Sequence, residues 1–408
     1  MIKTIPKFLN EEYKEFSLYN NKRMIPSIID GFKPVQRKII YSLSKRPNQL
    51  IKVTQLAGYV IAETDYIHGE SSLHQAIISM ARDYEFIYPL LIAEGQFGTR
   101  LESSSAAPRY LYTKLNKELF YKIFRKEDEI ILNYTEEEEP EHYYPIIPLV
   151  LLQSQTGLGV GFKSSMTPYS AKSIIEYILS YLDGNPSTNI KLEKQFPYYK
   201  GKIEQLELNK YRYHSVVSKS KDDTYIIEDL PPTYSLLKIR EKLLAYKELG
   251  LIQSFEDQSS ENQYHIIVRG LKDPSILNID STITDSLVFF DTKDTLKEYS
   301  SVYEILDEFI SFRLNKYEER IQKQISILQE EISSLNKKLE IITKILQNPK
   351  EIDQIEDSIL SQISLNELKR SKIEDLKSLI QNKLNQLESL KKTKPTILYK
   401  KELQELSY

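Results

Sequence analysis

The stretch GQFGTRLESSSAAPRYLYTKL, residues 95–115, is the most informative part of the sequence. Two glycines, three serines and a proline interrupt any helical periodicity, so the stretch predicts a loop that ends at Arg109 and Tyr110. An arginine beside a tyrosine is ordinarily a surface base next to a packed aromatic, and this chain has 29 tyrosines. Whether this pair carries chemistry therefore depends on the sequence around it.

The residues before the loop predict a unit of short helices. Pro34 suits the first turn of a helix, and an apolar residue then follows at four-residue spacing to form a buried stripe. Two further helices are predicted over Val53–Glu63 and Ser71–Asp83. Short helices with tight links are what a helix-turn-helix or winged-helix unit needs, so the first part of the chain is predicted to form one.

The same part of the chain is locally basic, although the whole chain carries a net charge of −3. The basic residues between positions 22 and 52 are Lys22, Arg23, Lys33, Arg37, Lys38, Lys45, Arg46 and Lys52. Because phosphate contacts depend on local charge, this distribution is compatible with a nucleic-acid ligand. Lys33, Arg37 and Lys38 lie on or beside a predicted helix start, where backbone N–H groups also favour phosphate. We interpret Lys45 and Arg46 as an ordinary solvated basic surface.

The residues after the loop change character twice. The run YYPIIPLVLL (143–152) is apolar but contains two prolines, which is too many for a helix. The alternate glycines of GLGVGF (157–162) predict a close approach between backbones or a strand with bulges. The acidic run Glu136–Glu139 is interpreted as a solvated loop without chemistry.

The second half of the chain predicts strands and then a coiled coil. YIIEDL (225–230), YHIIVRG (264–270) and SLVFFD (286–291) are short apolar segments bounded by turn residues, which is typical of strands in a mixed α/β region. From Ile321 to Leu346, apolar residues repeat at alternating spacings of four and three, the pattern of a coiled-coil seam. A weaker apolar stripe follows up to Pro395, so an antiparallel helical hairpin is predicted.

The composition excludes several classes of protein. The absence of cysteine excludes disulfides, thiolate catalysis and cysteine-ligated zinc. Five scattered histidines do not suggest a histidine-rich metal site, and no metal-ligand set is predicted. No apolar run approaches the roughly 20 residues of a membrane span, and the N-terminus lacks an apolar signal core. We expect a cytoplasmic protein that does not contact a membrane.

Taken together, these residues resemble a known family, the DNA-cleavage subunits of type IIA topoisomerases. The sequence is most similar to the eukaryotic and T-even-phage branch of that family. The landmarks, nearly end to end and in family order, are IPSIIDGFKPVQRKII (25–40), KVTQLAGYVIAE (52–63), IHGE (67–70), GQFGTR (95–100), SAAPRYLYTKL (105–115), EPEHYYPIIPLVLL (139–152), GLGVGF (157–162), IIEDLP (226–231) and LYKKEL (398–403). So many ordered matches make coincidence implausible.

The resemblance implies a multidomain α/β (α+β) fold. A winged-helix breakage-reunion domain would occupy residues 1–165, and a mixed α/β tower or shoulder domain would occupy residues 166–300. Residues 301–408 would form a long antiparallel coiled coil with a small helical exit gate at its tip, near residues 349–372. Two copies of that tip would pair around a two-fold axis to give a homodimer.

The resemblance also assigns roles to individual residues. Tyr110 matches the family's nucleophile, which becomes joined to a DNA 5′ phosphate. A phenol is mostly protonated at neutral pH, so it needs a positive setting, and Arg109 can supply that charge. His68 resembles a histidine that contacts the scissile phosphate and could share in proton transfer. Family members often carry a second histidine just before it, and Ile67 occupies that place here.

The predicted DNA contacts are Arg23, Lys33, Arg37, Lys38 and Leu158. The four cations would grip the cleaved duplex through its phosphates without reading its sequence. Leu158 falls where an apolar side chain, often isoleucine, wedges between base pairs and bends the duplex. Unstacking a base step costs a few kcal/mol, which the wider contact surface of bent DNA offsets.

Two functions of the family have no counterpart in the sequence. There is no GxxxxGK[ST] phosphate loop or topoisomerase-type ATP-lid signature, and no DxD cluster of the metal-binding toprim domain is visible. Since only about twenty residues precede the DNA-gripping motif, we expect a separate partner subunit that carries the ATPase and toprim domains. That partner would bind ATP and most of the Mg²⁺, and the assembly would be a heterotetramer.

The short C-terminal tail lacks a DNA-wrapping repeat domain, which favours relaxation or decatenation over active supercoiling. The high Lys, Ile, Asn and Tyr usage and the compact length are more typical of a phage or viral subunit, which would act in the host-cell cytoplasm. The alternative hypothesis is a catalytically silent architectural dimer that binds and bends DNA. It would need Lys33, Arg37 and Leu158 but not the pair of Arg109 and Tyr110.

Overall fold

The computed structural model describes residues 4–136, 138–185, 190–221, 223–347 and 370–406. Within them, the helices are α1 (Ile5–Asn10), α2 (Glu12–Met24), α3 (Pro34–Ser44), α4 (Val53–Glu63), α5 (Glu70–Met80), α6 (Lys117–Ile123), α7 (Ala171–Leu182), α8 (Leu236–Glu248), α9 (Val302–Gln347), α10 (Arg370–Lys392) and α11 (Pro395–Leu406). The strands are β1 (Ile51–Lys52), β2 (Leu91–Glu94), β3 (Tyr112–Leu115), β4 (Gln155–Leu158), β5 (Lys163–Met166), β6 (Ile203–Glu207), β7 (Lys210–Tyr213), β8 (Val216–Lys221), β9 (Thr224–Asp229), β10 (Ser254–Asp257), β11 (Ile266–Arg269), β12 (Ser281–Thr284), β13 (Val288–Phe290) and β14 (Leu296–Glu298). The chain is thus mixed α/β, as predicted.

The chain divides into two compact units. Unit 1 comprises Met1–Lys126, Leu132–Phe312 and Leu403–Tyr408, and unit 2 comprises Glu127–Ile131 and Arg313–Glu402. Apart from Glu127–Ile131, the segments predicted as winged-helix and tower domains both lie in unit 1, so their separation stays a prediction.

Short helices and a three-stranded antiparallel sheet form the N-terminal part of unit 1. The strand order is β1-β3-β2, with β3 in the centre. Helix α3 begins at Pro34 and α4 has the predicted bounds, because proline and the apolar stripe are both local signals. Helix α5 ends at Met80, three residues before its predicted end, and a separate 3-10 turn begins at Asp83.

The remaining sheets of unit 1 are also antiparallel. Their strand orders are β10-β11-β9-β8, β12-β7-β6, β13-β14 and β4-β5. The three strands predicted from sequence correspond to β9, β11 and β13. The four-stranded sheet packs on α8 around Ile227, Ile239, Leu243 and Val268, and Leu101 is buried in the same core.

Unit 2 contains the predicted helical hairpin. Ile332 on α9 packs with Ile380 and Leu387 on α10, and further residues of the predicted seam line the same cluster. An ion pair joins Glu331 to Lys383, and another joins Arg320 to Glu402. The residue with the lower number in the first segment is thus paired with the residue with the higher number in the second. The two segments therefore run antiparallel. The predicted exit-gate tip at residues 349–372 falls almost wholly outside the described residues, and only the backbone of its last three belongs to α10.

A buried ionic cluster stabilises unit 2 near the start of its α9 segment, around Arg313 and Arg320. Arg313 and Arg320 both bind the carboxylate of Asp128, and Arg320 Nη2 also lies 2.6 Å from Glu402 Oε1. Tyr317 donates a hydrogen bond of 2.6 Å to the same glutamate. Two cations thus face two anions, the condition under which buried charges are tolerated.

Among the described residues, no helix combines the length and the apolarity that crossing a membrane requires.

Candidate functional site

Tyr110 lies on the surface of unit 1 at the end of the long loop. A 3-10 turn over Pro108–Tyr110 presents its side chain, which is 62% exposed. The guanidinium carbon of Arg109 lies 4.8 Å from the centre of its ring, within the range of a cation–π contact. Within the described part of the chain, the Tyr110 hydroxyl has no hydrogen-bond partner. The phenol is therefore accessible to a large ligand and has a cation beside it.

The three-stranded sheet fixes the backbone that carries this tyrosine. The turn leads directly into the central strand β3, where Tyr112 pairs with Glu94 of β2. The N–H of Val53, at the start of α4, donates a hydrogen bond of 2.9 Å to the carbonyl of Leu111. Gly95 adopts a φ of +115°, and an added Cβ there would lie 3.3 Å from the carbonyl oxygen of Tyr110. A glycine is needed where the loop passes so close to the turn.

His68 lies in a cluster of aromatic residues beside α2. Its Nε2 is 2.8 Å from the hydroxyl of Tyr19, and its ring contacts that of Tyr66 edge-on. Partial burial and the nearby charge of Arg23 lower the pKa of His68, so the neutral ring is favoured in the free protein. Among the described residues, His68 shares no hydrogen bond or ring contact with Tyr110, although both were predicted site residues.

Leu158 protrudes from the hairpin of β4 and β5. Its side chain is 65% exposed, which is unusual for a leucine at the end of a strand that packs on a helix. The glycines on either side explain how the hairpin approaches α2. A Cβ on Gly157 would lie 2.4 Å from the carbonyl oxygen of Met24, and one on Gly159 would lie 2.1 Å from Asn21 Oδ1. The predicted close approach of backbones is confirmed, and Leu158 is its exposed neighbour.

Two predicted DNA-contacting cations lie on the elements that hold this hairpin. Lys33 is the residue directly before α3, and its Nζ donates a hydrogen bond of 2.7 Å to the carbonyl of Thr156 in β4. Burial lowers the pKa of Lys33. Arg23 is half-buried in the last turn of α2, close enough to His68 to influence its titration. Helix α2 and the start of α3 thus bring Arg23, Lys33 and Leu158 into one region.

The other two predicted cations are engaged within the protein. Arg37 forms two hydrogen bonds with the fully buried carboxylate of Asp30, the shorter of which is 2.7 Å. Lys38 Nζ forms an ion pair with Glu139. The interpretation of Glu136–Glu139 as solvated was wrong for Glu139, which is only 7% exposed, because the lysine draws it inward. The predicted DNA contacts of Arg37 and Lys38 stay predictions.

A charge network surrounds Asp30, and the sequence motifs did not predict it. His142 Nε2 lies 3.1 Å from Asp294, and its Nδ1 lies 3.6 Å from Asp30. Burial disfavours ionisation of Asp30, but the charges of Arg37 and His142 outweigh it and lower the pKa of Asp30. Arg37 is only seven residues from Asp30, but His142 and Asp294 are more than a hundred residues away from them, so no local spacing signals the whole network. Arg46 was interpreted as part of a solvated surface, but it is half-buried, forms an ion pair with Glu63 and lies over the ring of Tyr59.

The described residues do not offer a metal centre. Within them, no three His, Asp or Glu side chains converge closely enough to hold an ion. The largest groove near Lys33, with a volume of about 530 Å³, is lined mainly by hydroxyl, amide and aromatic groups together with Glu85 and Arg100. A Mg²⁺ ion is bound by several oxygen ligands, usually with carboxylates among them, and this set of side chains does not fit it.

Comparison with known proteins gives one consistent result. Residues 23–407 match the family of the A-type subunits of DNA gyrase/topoisomerase IV. The chain is 34% identical over 380 residues to DNA topoisomerase 2 of Saccharomyces cerevisiae, covering 85% of this chain and 26% of the yeast protein. It is 30% identical over 378 residues to DNA topoisomerase 2 of Invertebrate iridescent virus 6, covering 88% of this chain and 33% of that protein.

A solved structure extends the likeness to three dimensions. The crystal structure of the Plasmodium falciparum topoisomerase II DNA-binding, cleavage and re-ligation domain matches with a TM-score of 0.85 and 29% identity. The match covers 98% of this chain and 63% of that one. The chain spans about a quarter to a third of the length of the curated relatives it matches.

Proposed function

Because the chain belongs to the family of DNA gyrase/topoisomerase IV A-type subunits, we propose that it cleaves and rejoins DNA as the breakage-reunion part of a type IIA topoisomerase. The observation that carries the proposal is the exposed phenol of Tyr110 beside Arg109. By the sequence resemblance, this tyrosine matches the family's nucleophile. An ordinary packed tyrosine would be buried, and this one is open to a ligand as large as a duplex.

The proposed reaction is a reversible transesterification. The hydroxyl oxygen of Tyr110 attacks the scissile phosphorus, a tyrosine–phosphate bond forms, and the bond to the 3′ oxygen breaks. The phenol loses its proton and the departing 3′ oxygen gains one, so no other reactant is consumed. Because the phosphodiester energy is kept in the phosphotyrosine, the 3′ hydroxyl can reverse the step without added fuel.

The chain's own residues assist by charge and position. The guanidinium of Arg109 neutralises negative charge that develops on the phosphate or on the phenolate oxygen. His68, with its lowered pKa, offers a neutral imidazole that can hydrogen-bond the phosphate or relay a proton. Arg23 and Lys33 would hold the backbone of the cleaved duplex, and the exposed Leu158 would enter a base step and bend it.

Metal and ATP would come from another source. The described residues do not fit a Mg²⁺ site, and the sequence contains no phosphate-loop motif. We propose a separate subunit with ATPase and toprim domains, which bind ATP and Mg²⁺ in the family as the resemblance describes it. In the alternative, those domains belong to the same polypeptide. Purification distinguishes the two cases, because a split enzyme co-purifies as two different chains and a fused enzyme does not.

The assembled enzyme would be two-fold symmetric. Cutting both strands of a duplex requires two tyrosines that face opposite strands, which a homodimer supplies. We propose that the hairpin of α9 and α10 carries the dimer contact. The resulting activity is the relaxation or decatenation of DNA, in which a second duplex passes through the transient break.

The test is a cleavage assay with the complete complex, Mg²⁺ and supercoiled plasmid, stopped with detergent and probed for protein on 5′ ends. Tyr110→Phe should abolish the adduct and relaxation. Tyr112→Phe is the matched control, because Tyr112 lies two residues further on in β3 and should not be needed. An adduct that survives Tyr110→Phe overturns the proposal. A wild-type complex that bends DNA without forming any adduct would indicate the architectural alternative.

A further inference from the structure

Arg100, the last residue of the GQFGTR motif, is deeply embedded although it belongs to a surface loop. Its residue is 8% exposed, and its Nη2 lies 2.7 Å from Asp229 Oδ1 at the end of β9. The guanidinium also donates hydrogen bonds to the carbonyls of Tyr198, at 2.8 Å, and Leu230. Its backbone N–H donates to Asn262 Oδ1 at 3.0 Å. Arg100 is therefore fixed to the region of the four-stranded sheet.

The next residue, Leu101, is inserted into the hydrophobic core of that region. It is 3% exposed and packs in the cluster formed by β9, β11 and α8. Its carbonyl accepts a hydrogen bond of 2.8 Å from the N–H of Leu236, the first residue of α8. Leu101, from the N-terminal part of the chain, thus completes a core that the later strands build. Such an insertion cannot be removed without leaving a cavity.

The anchored tip is connected tightly to Tyr110. The N–H of Ala106 donates to the carbonyl of Gln96 at 2.9 Å, which closes the loop across its neck. Arg82 reinforces one arm through a hydrogen bond of 2.6 Å to the carbonyl of Ser103. The N–H of Tyr110 then donates to the carbonyl of Ala107 at 2.9 Å. The loop therefore has little freedom between its tip and the tyrosine.

The Tyr110 side chain depends on this backbone for its position. Tyr110 is 62% exposed, and its ring lies against the guanidinium of Arg109, which is itself exposed and belongs to the same turn. A side chain that is mostly exposed is positioned chiefly by the segment that carries it. A displacement of the order of 1 Å in a nucleophile can slow a reaction about 100-fold.

We propose that Arg100 and Leu101 are positioning residues for the nucleophile: they fix the loop tip to the β8–β11 sheet region, and the loop transmits that constraint to Tyr110. The inference rests on the proposed function of Tyr110. It adds that the β8–β11 sheet region, for which no reacting group is predicted, determines how accurately the tyrosine is positioned.

The test compares two leucines of one core in the complete complex. Leu101→Ala and Leu243→Ala make the same change in the same cluster, but only Leu101 belongs to the loop. Leu101→Ala should slow DNA cleavage and rejoining about 10- to 100-fold with unchanged DNA affinity, and Leu243→Ala should leave both rates within about twofold. Arg100→Gln should resemble Leu101→Ala, and Arg100→Lys should recover part of the rate because the ion pair to Asp229 is kept.

Hydrogen–deuterium exchange of the full chain gives a readout that is independent of activity. Leu101→Ala and Arg100→Gln should raise exchange at the amides of Ala106 and Tyr110, whereas Leu243→Ala should not. Equal cleavage rates in Leu101→Ala and Leu243→Ala, or unchanged exchange in the loop, would overturn the inference while the function of Tyr110 stood. A wild-type complex that forms no adduct would instead overturn the proposed function, and this inference with it.

Discussion

The side-chain amide of Asn21 binds both backbone groups of Val160. The N–H of Val160 donates to Asn21 Oδ1 at 2.7 Å, and Asn21 Nδ2 donates to the carbonyl of Val160 at 3.4 Å. Helix α2 thus holds the turn of the β4–β5 hairpin in the way that a neighbouring strand would. Because Leu158 is the last residue of β4, directly before that turn, its exposure results from a fixed backbone and not from a loose loop.

Leu158→Ala should impair DNA bending without destabilising the protein. The side chain is exposed, so its loss should change the free energy of unfolding by less than about 0.5 kcal/mol. If it wedges between bases, the few kcal/mol that sustain the kink are lost. Fluorescence energy transfer between the ends of a bound duplex measures the bend. Leu158→Ile should retain it.

The matched control for the wedge is Leu237→Ala on α8, whose side chain is 66% exposed against 65% for Leu158. Bending that is equally strong in the wild type and in Leu158→Ala would exclude the wedge.

Lys33→Gln should weaken DNA binding in a manner that depends on salt. Each phosphate contact contributes a slope of about −0.9 to the logarithm of the affinity against the logarithm of the salt concentration. We expect the slope of the variant to be smaller by about one, with the same loss on any sequence. Titrations at several salt concentrations measure it. Lys247→Gln, at the exposed end of α8, should leave the slope unchanged; an unchanged slope for Lys33→Gln would remove this lysine from the interface.

Arg37→Gln should act mainly on stability. The carboxylate of Asp30 is completely buried, so the variant leaves a buried charge without its bidentate partner. Breaking such a pair costs about 3–5 kcal/mol. Denaturant unfolding monitored by circular dichroism measures the loss. The double variant Arg37→Gln/Asp30→Asn should recover part of the lost stability. If Arg37→Gln were as stable as the wild type, the arginine would not be needed for folding and would be free for DNA contact.

His68→Ala should slow cleavage by about 100-fold if the imidazole donates to the phosphate or moves a proton, which is typical of such groups. A duplex with sulfur in place of the bridging 3′ oxygen distinguishes the two roles, because the thiolate leaves without protonation. Recovery of the rate on that duplex indicates that His68 protonates the 3′ oxygen, and no recovery indicates a phosphate contact or acceptance of the tyrosine proton.

The control for His68 is Tyr19→Phe, which removes only the hydrogen bond to Nε2 and should have a smaller effect. Wild-type cleavage by His68→Ala would show that the histidine is structural.

The network around His142 predicts that stability depends on pH. Burial disfavours the charged ring, but the hydrogen bond to Asp294 and the charge of Asp30 outweigh it and raise the pKa of His142 above 6.5. A raised pKa contributes stability below about pH 6.5 that is lost as the pH rises through the folded value. His142→Gln should therefore destabilise the protein more at pH 5.5 than at pH 8.5, as measured by denaturant unfolding.

Asp294→Asn is the control for this titration, because it removes the first partner of the ring. The extra loss at pH 5.5 should be smaller when His142→Gln is made in that background. A loss that is equal at both pH values would mean that the histidine contributes by packing alone.

The family resemblance was readable from the sequence and is confirmed by the comparisons. Local sequence patterns predicted the start of α3 at its proline, the bounds of α4 and, through the coiled-coil repeat, the pairing of α9 with α10. The loop before Tyr110 was also predictable from its glycines and serines. Each of these signals is local, because periodicity and turn chemistry act within a few residues of the chain.

Only the tertiary structure decided which cations face solvent, where they can bind DNA, and which are paired with an internal carboxylate. Arg37, Lys38 and Arg100 look alike in sequence as basic residues of conspicuous motifs, yet their carboxylate partners lie 7, 101 and 129 positions away. Whether a cation faces solvent or an internal anion depends on which distant segments fold against it. Burial strengthens such pairs and removes them from solvent, and no spacing along the chain records that choice.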